Sequence, residues 1–153
     1  MRHFASLGKI RIAYRNEEYT QVSRLYNIYM QSEAFDSLKY HATYLMGQTY
    51  MAQEEYGKAI LLFEDIPDAH PDYAFAQHSL GVSHIHRSDN EKAVDAFRSC
   101  LGAVTPTKKA EEIVNRSRLM LGYMLYEGMT TEENEIAKAV TLLRQVPATS
   151  IYY

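Results

Sequence analysis

The chain has 153 residues, of which 46% are apolar and 23% are charged, a composition typical of a globular protein with a substantial core. Nineteen acidic residues against sixteen basic ones give a net charge of −3, and no run of Lys and Arg exceeds two residues, so we expect no nucleic-acid partner. A single cysteine excludes an internal disulfide, and no apolar run approaches the roughly 20 residues that cross a bilayer. No targeting segment is visible, which leaves the compartment open: cytoplasm by default, or periplasm if a signal was removed.

Apolar residues recur at helical spacing along the whole chain, and each series is interrupted once by a short polar turn. Prolines stand between the series, where they end one helix or fit the first turn of the next. We therefore predict an all-α fold in a single domain over residues 1–153, made of antiparallel helix pairs. The expected hairpins cover residues 2–31, 34–67, 71–102 and 107–146, and residues 148–153 are expected to begin a further, truncated helix.

The second and third hairpins repeat each other with a period of 34 residues, which aligns three pairs: Gly47 with Gly81, Ala59 with Ala93, and Phe63 with Phe97. A glycine inside a helix costs about 0.5–1 kcal/mol relative to alanine, so its recurrence indicates a compensating contact. We expect the glycine of each first helix to face the alanine of the second, because two small residues let antiparallel helices approach closely.

Two further copies flank this pair. The last copy carries Gly122 and Ala139 and has five extra residues between them, and the first copy has Ile10 in place of the glycine. The insertion in the last copy lies in the turn, where Thr130 and Glu133 have the spacing of a capping box. We expect this lengthened turn to project as a loop.

The chain resembles the tetratricopeptide repeat family, most closely over residues 40–105, and five residues of the second copy carry the resemblance: Gly47, Tyr50, Ala59, Phe63 and Pro71. The tryptophan often found early in that repeat is replaced by Thr43, Gln77 and Arg118, which makes the chain a divergent member, of a bacterial type. The resemblance implies a right-handed superhelix of about four hairpins, whose first helices line a concave groove that binds a peptide or a partner segment.

The groove-lining positions of that family fall on Phe4, Leu7, Arg11 and Tyr14 in the first hairpin. In the other hairpins the resemblance assigns the peptide-binding groove to His41, Tyr44, Gln48 and Met51, to Phe75, His78, Val82 and Ile85, and to Arg116, Leu119, Tyr123 and Tyr126. Such a groove would be aromatic and apolar, and it would suit an apolar or aromatic peptide. In the competing interpretation, an aromatic stripe at helical spacing is simply core.

Residues that could carry chemistry do not form a recognisable set. Cys100 has no histidine near it in the sequence and is expected to be buried and inert, and the spacing of His78, His84 and His86 does not suit a metal site. Beyond the first hairpin, Arg116 is the only Lys or Arg at the predicted groove positions, which does not suit capture of a C-terminal carboxylate. We therefore expect no catalytic residues, no metal and no cofactor.

The function predicted from the sequence is a non-catalytic protein-interaction module or scaffold that does not insert into a membrane. The alternative is a structural or self-associating repeat segment of a larger protein of the cell envelope, in which an uncapped end pairs with another copy to form a homo-oligomer.

Overall fold

The computed structural model describes residues 2–32, 36–129 and 135–148. Within these ranges the chain forms eight α-helices and no strand, which confirms the predicted all-α class. The helices are α1 (Arg2–Arg15), α2 (Tyr19–Met30), α3 (Asp36–Ala52), α4 (Tyr56–Glu64), α5 (Tyr73–His86), α6 (Asn90–Leu101), α7 (Lys108–Tyr126) and α8 (Glu135–Arg144).

The helices belong to two compact units, Met1–Asp72 and Tyr73–Tyr153. In the first unit α1 packs on α2, both pack on α3, and α3 packs on α4; in the second unit α5 packs on α6, both pack on α7, and α7 packs on α8. The single domain and its hairpin boundaries stay predictions. The capping box at Thr130 and Glu133, and the further helix beyond Ala148, fall outside the described residues.

The first helix of each pair ends in the same hydrogen-bonded turn. After α5, the backbone N–H of Ser88 donates to the carbonyl of Ile85 at 2.8 Å, and that of Asp89 donates to the carbonyl of His84 at 2.9 Å. This pair of hydrogen bonds is the Schellman motif, which needs a residue in the left-handed conformation just past the helix. The residues in that conformation, with φ of 61° to 64°, are Glu17, Glu54, Ser88 and Gly128.

Side chains cap the N-termini of two helices, α6 and α7. Asp89 accepts a hydrogen bond from the backbone N–H of Lys92 at the start of α6, and Thr107 accepts one from Ala110 at the start of α7. Each cap satisfies a backbone donor that has no partner inside the helix. Asp89 therefore has two roles: its backbone N–H closes the turn after α5, and its side chain caps the start of α6.

The glycines of the second and third hairpins, Gly47 and Gly81, lie against aromatic rings. A Cβ added to Gly47 would lie 2.5 Å from Cε1 of Phe63, and one added to Gly81 would lie 2.6 Å from Cε1 of Phe97. The nearest atoms therefore belong to the phenylalanine four residues beyond the alanine that was expected to face each glycine. Ala59 and Ala93 are both fully buried. In each hairpin the phenylalanine ring fills the space beside the glycine, which has no side chain.

Candidate functional site

Each predicted group of four residues forms a stripe along one helix. The residues of a stripe are separated by three, four and three positions, which places them on one helical face. The stripes lie on α3 (His41, Tyr44, Gln48, Met51), on α5 (Phe75, His78, Val82, Ile85) and on α7 (Arg116, Leu119, Tyr123, Tyr126). Ten of the twelve residues are half-buried, whereas Tyr123 and Tyr126 are 53% and 62% exposed.

On α7 the buried face is a different one, whereas on α5 the stripe residues Val82 and Ile85 pack against the core cluster that contains Phe97. On α7, Leu121, Met124 and Leu125 are almost fully buried and pack in one cluster with Phe97 and Ala139. The stripe residues of the same helix retain exposure because they point away from that cluster. In the first hairpin the pattern does not hold, since Leu7 is buried in the core of the first unit, and the side chain of Phe4 falls outside the described residues.

In the first unit, His41 links two helices and a loop through both ring nitrogens. Nε2 accepts hydrogen bonds from Nε and Nη2 of Arg11, at 3.1 and 2.8 Å, and Nδ1 is hydrogen-bonded to Oδ2 of Asp72. Because the carboxylate accepts, the ring carries its proton on Nδ1. Arg11 belongs to α1, so this chain of polar contacts joins α1, α3 and the segment that follows α4.

His70 makes a further contact with the network of Arg11, His41 and Asp72. The backbone N–H of Asp72 donates to Nδ1 of His70 at 3.1 Å, and the ring of Tyr40 meets that of His70 edge-on, with 5.6 Å between centroids. These contacts hold Asp72 in place beside His41. The first stripe therefore begins at a polar side chain whose orientation is set by partners on either side of its ring.

In the second unit, His78 lies in an enclosed environment near Arg116. Its Nδ1 is hydrogen-bonded to Oγ of Ser117 at 2.9 Å, and its ring lies 5.8 Å from that of Phe97. Burial lowers the pKa of His78 to about 4, and the positive charge of Arg116 acts in the same direction. His78 is therefore uncharged at neutral pH and offers hydrogen bonding without charge.

Cys100 is fully buried beneath these residues, as expected. Its Sγ donates to the backbone carbonyl of Ala74 at 3.2 Å, and Ala74, Cys100 and Val114 pack in one apolar cluster. Burial raises the pKa of the thiol to about 11, against a smaller opposing effect of its hydrogen bond with Ser117. At neutral pH the thiol is protonated and is a weak nucleophile.

Several residues of these networks were not predicted from the sequence. Asp72 and His70 lie in the connection after α4, and Ser117 lies one residue beyond a predicted stripe residue. No periodic or motif signal marks them, because hydrogen bonds join Asp72 and Ser117 to histidines 31 and 39 residues away in the chain. Only folding brings these pairs together.

The described residues offer aromatic contact area and polar anchors. Tyr44 lies against the buried ring of Phe63, with 6.0 Å between centroids, and Tyr123 and Tyr126 expose much of their surface. No group of three or more His, Cys, Asp or Glu within residues 2–32, 36–129 and 135–148 is arranged to hold a metal ion. Over the same residues no helix has the length and apolar character needed to span a membrane.

Comparison with known proteins adds no relative: no protein-family model, no curated protein and no solved structure matches the chain. The resemblance to the tetratricopeptide repeat family stays a prediction, carried by the residues named for it.

Proposed function

We propose that this chain is a non-catalytic protein-interaction module of the tetratricopeptide repeat class, with its hairpins in a right-handed superhelix. Three features support this proposal: the 34-residue period, the recurring contact between a glycine and a large side chain, and the same turn after each first helix. A regular stacking of hairpins is the arrangement in which one turn geometry and one close contact recur at a fixed period.

The single observation that carries the binding function is the exposure of Tyr123 and Tyr126 on α7. They lie three residues apart on one helical face, and Leu119 lies four residues before Tyr123 on that face. Exposed tyrosines in such a row supply large contact areas with few rotatable bonds, which favours them at protein interfaces. The stripes on α3 and α5 carry one aromatic residue each, Tyr44 and Phe75, and both are half-buried.

The chemistry of the stripes favours an apolar or aromatic protein segment. His78 is uncharged at neutral pH, and the polar groups of the α3 stripe are an imidazole and an amide, so hydrogen bonds would orient the ligand while aromatic contacts supply most of the affinity. Arg116 of the α7 stripe provides one positive charge near His78. With a net charge of −3, the chain is a poor partner for nucleic acid.

The test is selection of peptides by the immobilised chain, followed by affinity measurement on the selected peptides. We expect aromatic or apolar sequences, and we expect a Tyr123→Ala, Tyr126→Ala double variant to bind them at least about tenfold more weakly, as removal of interface anchors does. The matched control is an Ile28→Ala, Leu61→Ala double variant, which truncates two apolar side chains that are 59% and 67% exposed and lie outside the stripes. An equal loss in both variants would exclude the stripe as the binding surface.

The second candidate, self-association, is favoured by apolar side chains on α8. Val140 and Leu143 are 39% and 36% exposed, three residues apart on one face of that helix. If this face pairs with another copy, light scattering will show a mass that rises with concentration, and Val140→Ser will abolish the rise. A constant monomeric mass would exclude self-association through this face.

A further inference from the structure

Three side chains of the second unit form a network of hydrogen bonds, the His78 network, that ends at a backbone carbonyl. Nδ1 of His78 is bonded to Oγ of Ser117 at 2.9 Å, and Ser117 is also bonded to Cys100. Sγ of Cys100 is bonded to the carbonyl of Ala74 at 3.2 Å. Ser117 and Cys100 are fully buried and have no access to solvent. The three side chains therefore depend on one another for their hydrogen bonds.

The carbonyl at the end of the His78 network fixes the direction of every bond in it. A carbonyl oxygen only accepts, so the single hydrogen of the Cys100 thiol points to Ala74. The sulfur is left as an acceptor, and the hydroxyl hydrogen of Ser117 points to it. The oxygen of Ser117 then accepts from His78, which places the proton of the neutral ring on Nδ1. Nε2 of His78 carries no proton and is a hydrogen-bond acceptor.

This acceptor is available to a ligand. Nε2 of His78 has no hydrogen-bond partner among the described residues and is accessible to solvent. The residue belongs to the α5 stripe, and its ring is uncharged at neutral pH because burial and the charge of Arg116 both lower its pKa. A segment bound along the stripe therefore meets a neutral acceptor that a hydrogen-bond donor of the ligand can satisfy.

The surroundings of Nε2 select the kind of donor. Phe75 and Val82, three residues before and four residues after His78, are half-buried apolar side chains, so the donor should belong to an apolar group. The positive charge of Arg116 disfavours the charged donors of lysine and arginine. Hydroxyl and amide groups carry an oxygen that would need a partner of its own, whereas the indole of tryptophan only donates. Tryptophan thus combines a large apolar ring with the one group that Nε2 requires.

We propose that Nε2 of His78 accepts a hydrogen bond from the indole N–H of a tryptophan in the bound protein segment, and that Ser117 and Cys100 fix the tautomer that permits this bond. The inference rests on the proposed peptide-binding function and specifies one residue of the ligand. Ser117 and Cys100 are positioning residues, because both are buried and act on the ligand only through the histidine ring.

The tautomer is measured directly by nitrogen-15 NMR of the full 153-residue chain labelled at histidine. At neutral pH we expect Nδ1 of His78 to give the signal of a protonated ring nitrogen and Nε2 that of an unprotonated one. The reverse assignment would overturn the proposal. The measurement needs no ligand, so its result does not depend on whether a peptide binds.

Two variants of Cys100 test its positioning role. Cys100→Ala removes the acceptor of the Ser117 hydroxyl, which can then turn and donate to Nδ1 of His78, so part of the ring proton should move to Nε2. Cys100→Ser keeps one donor and one acceptor at the same place and should retain the wild-type spectrum. Circular dichroism verifies the fold of both variants. A wild-type histidine spectrum in Cys100→Ala would overturn the role of Cys100.

The donor is tested with indole and 1-methylindole, which share a ring system, while the methyl group removes the only donor. We expect indole to shift the Nε2 signal of His78 saturably. Binding of 1-methylindole should be about three- to tenfold weaker, the loss expected for one uncharged hydrogen bond. Equal affinity of the two probes, or no shift of Nε2 with indole, would overturn the proposal.

A substitution at His78 locates the preference for indole. His78→Phe keeps an aromatic ring and removes both nitrogens, so indole and 1-methylindole should bind this variant equally. The matched control is His86→Phe, which changes an exposed histidine of the same helix and should retain the preference. A preference for indole that survives in His78→Phe would place the bond elsewhere and would overturn the assignment.

Peptide selection separates this inference from the proposed function. We expect tryptophan in the selected peptides, and its replacement by 1-methyltryptophan should weaken binding to wild type and leave binding to His78→Phe unchanged. Selected peptides that lack tryptophan, and that lose affinity in the Tyr123→Ala, Tyr126→Ala variant, would overturn the inference and support the proposed function. Selection of no peptide would overturn the proposed function and the tryptophan with it, whereas the spectrum and the indole titration would still decide whether Nε2 is an acceptor.

Discussion

The hairpins α5/α6 and α7/α8 use the same glycine position against different partners. Gly81 lies against the ring of Phe97, which is fully buried, whereas Gly122 lies against the branched end of Leu143, which is 36% exposed. An added Cβ would meet Phe97 at 2.6 Å and Leu143 at 3.0 Å. An enclosed flat ring has little room to move, while a leucine end that borders solvent can shift. The absence of a side chain therefore matters more at Gly81 than at Gly122.

The two hairpins also differ in what their first helices present beside this contact. The ring of Phe97 is covered by His78 of the α5 stripe, at 5.8 Å, so the stripe and the core touch directly in that hairpin. On α7 the stripe carries Tyr123 and Tyr126, which are exposed. The α5/α6 hairpin is accordingly the more tightly enclosed of the two, and α7 provides the more accessible aromatic surface.

The largest expected effect is that of removing the ring. Phe97→Ala should lower the free energy of unfolding by about 3–5 kcal/mol, because it leaves a cavity that the helices cannot close. Leu143→Ala should lower it by less than about 2 kcal/mol, since the leucine is partly hydrated in the folded state. Urea titrations followed by circular dichroism measure both values.

The equivalent ring of the first unit is a second site for the same measurement. Phe63 is fully buried against Gly47, so Phe63→Ala should cost as much as Phe97→Ala. Losses below about 1 kcal/mol at both phenylalanines would contradict the alignment of the two hairpins.

Filling the glycine position should come next in size. Gly81→Leu is expected to cost about 3 kcal/mol, at the upper end for overpacking, because the new side chain must displace the ring of Phe97. Gly122→Ala should cost little, since the end of Leu143 can move and alanine favours the helix by up to about 1 kcal/mol. Thermal melts of the two variants, with Gly81→Ala as the matched single-carbon change, compare the sites directly.

A double variant sharpens this comparison. Replacing Phe97 by leucine copies the partner that Gly122 has, so Gly81→Ala should cost less when combined with Phe97→Leu than alone. A coupling energy of at least about 0.5 kcal/mol is expected for residues in contact. Strict additivity would show that the glycine and the ring do not constrain each other.

The pH dependence of stability tests the α5/α6 hairpin, which is the more enclosed of the two. The folded pKa of His78 is about 4, below the ordinary value of 6.5, so the unfolded chain takes up the proton first as the pH falls. The contribution of uncharged, buried His78 to the free energy of unfolding is complete above pH 6.5 and is lost progressively between pH 6.5 and 4. We expect the loss to be about 2 kcal/mol, since one pKa unit corresponds to about 1.4 kcal/mol and solvent reaches part of the ring.

Urea titrations at several pH values measure the slope of the free energy of unfolding against pH. His78→Gln should flatten this slope between pH 6.5 and 4. His86→Gln changes an exposed histidine of the same helix and is the matched control. A slope that survives in His78→Gln but disappears in His86→Gln would refute the assignment.

The smallest expected effects concern the turns, where the two hairpins again differ. Gly128 after α7 has a φ of 64°, and Ser88 after α5 has a φ of 61°. A residue with a side chain in this conformation costs about 1 kcal/mol relative to glycine, so Gly128→Leu should destabilise the chain and Ser88→Gly should stabilise it by similar amounts. Thermal midpoints test both signs, and a larger loss for Gly128→Leu than for Gly81→Leu would refute the account of the glycine contacts.

The sequence by itself determined the all-α class and the recurring glycines, alanines and phenylalanines. These features are readable because helical spacing and a fixed period leave a signal in the order of residues. The burial of Phe63, Phe97 and Cys100 followed from the same patterns. The left-handed turn at Gly128 was also foreseeable, since glycine is the usual residue there.

Tertiary structure alone decided which side chains meet across long stretches of chain. Glu17, Glu54 and Ser88 adopt the left-handed turn without glycine, so no residue type marks them. Likewise, Asp72 reaches His41 and Ser117 reaches His78 through contacts that have no period. Each of these depends on the distance and angle between packed helices, and the local order of residues does not specify either quantity.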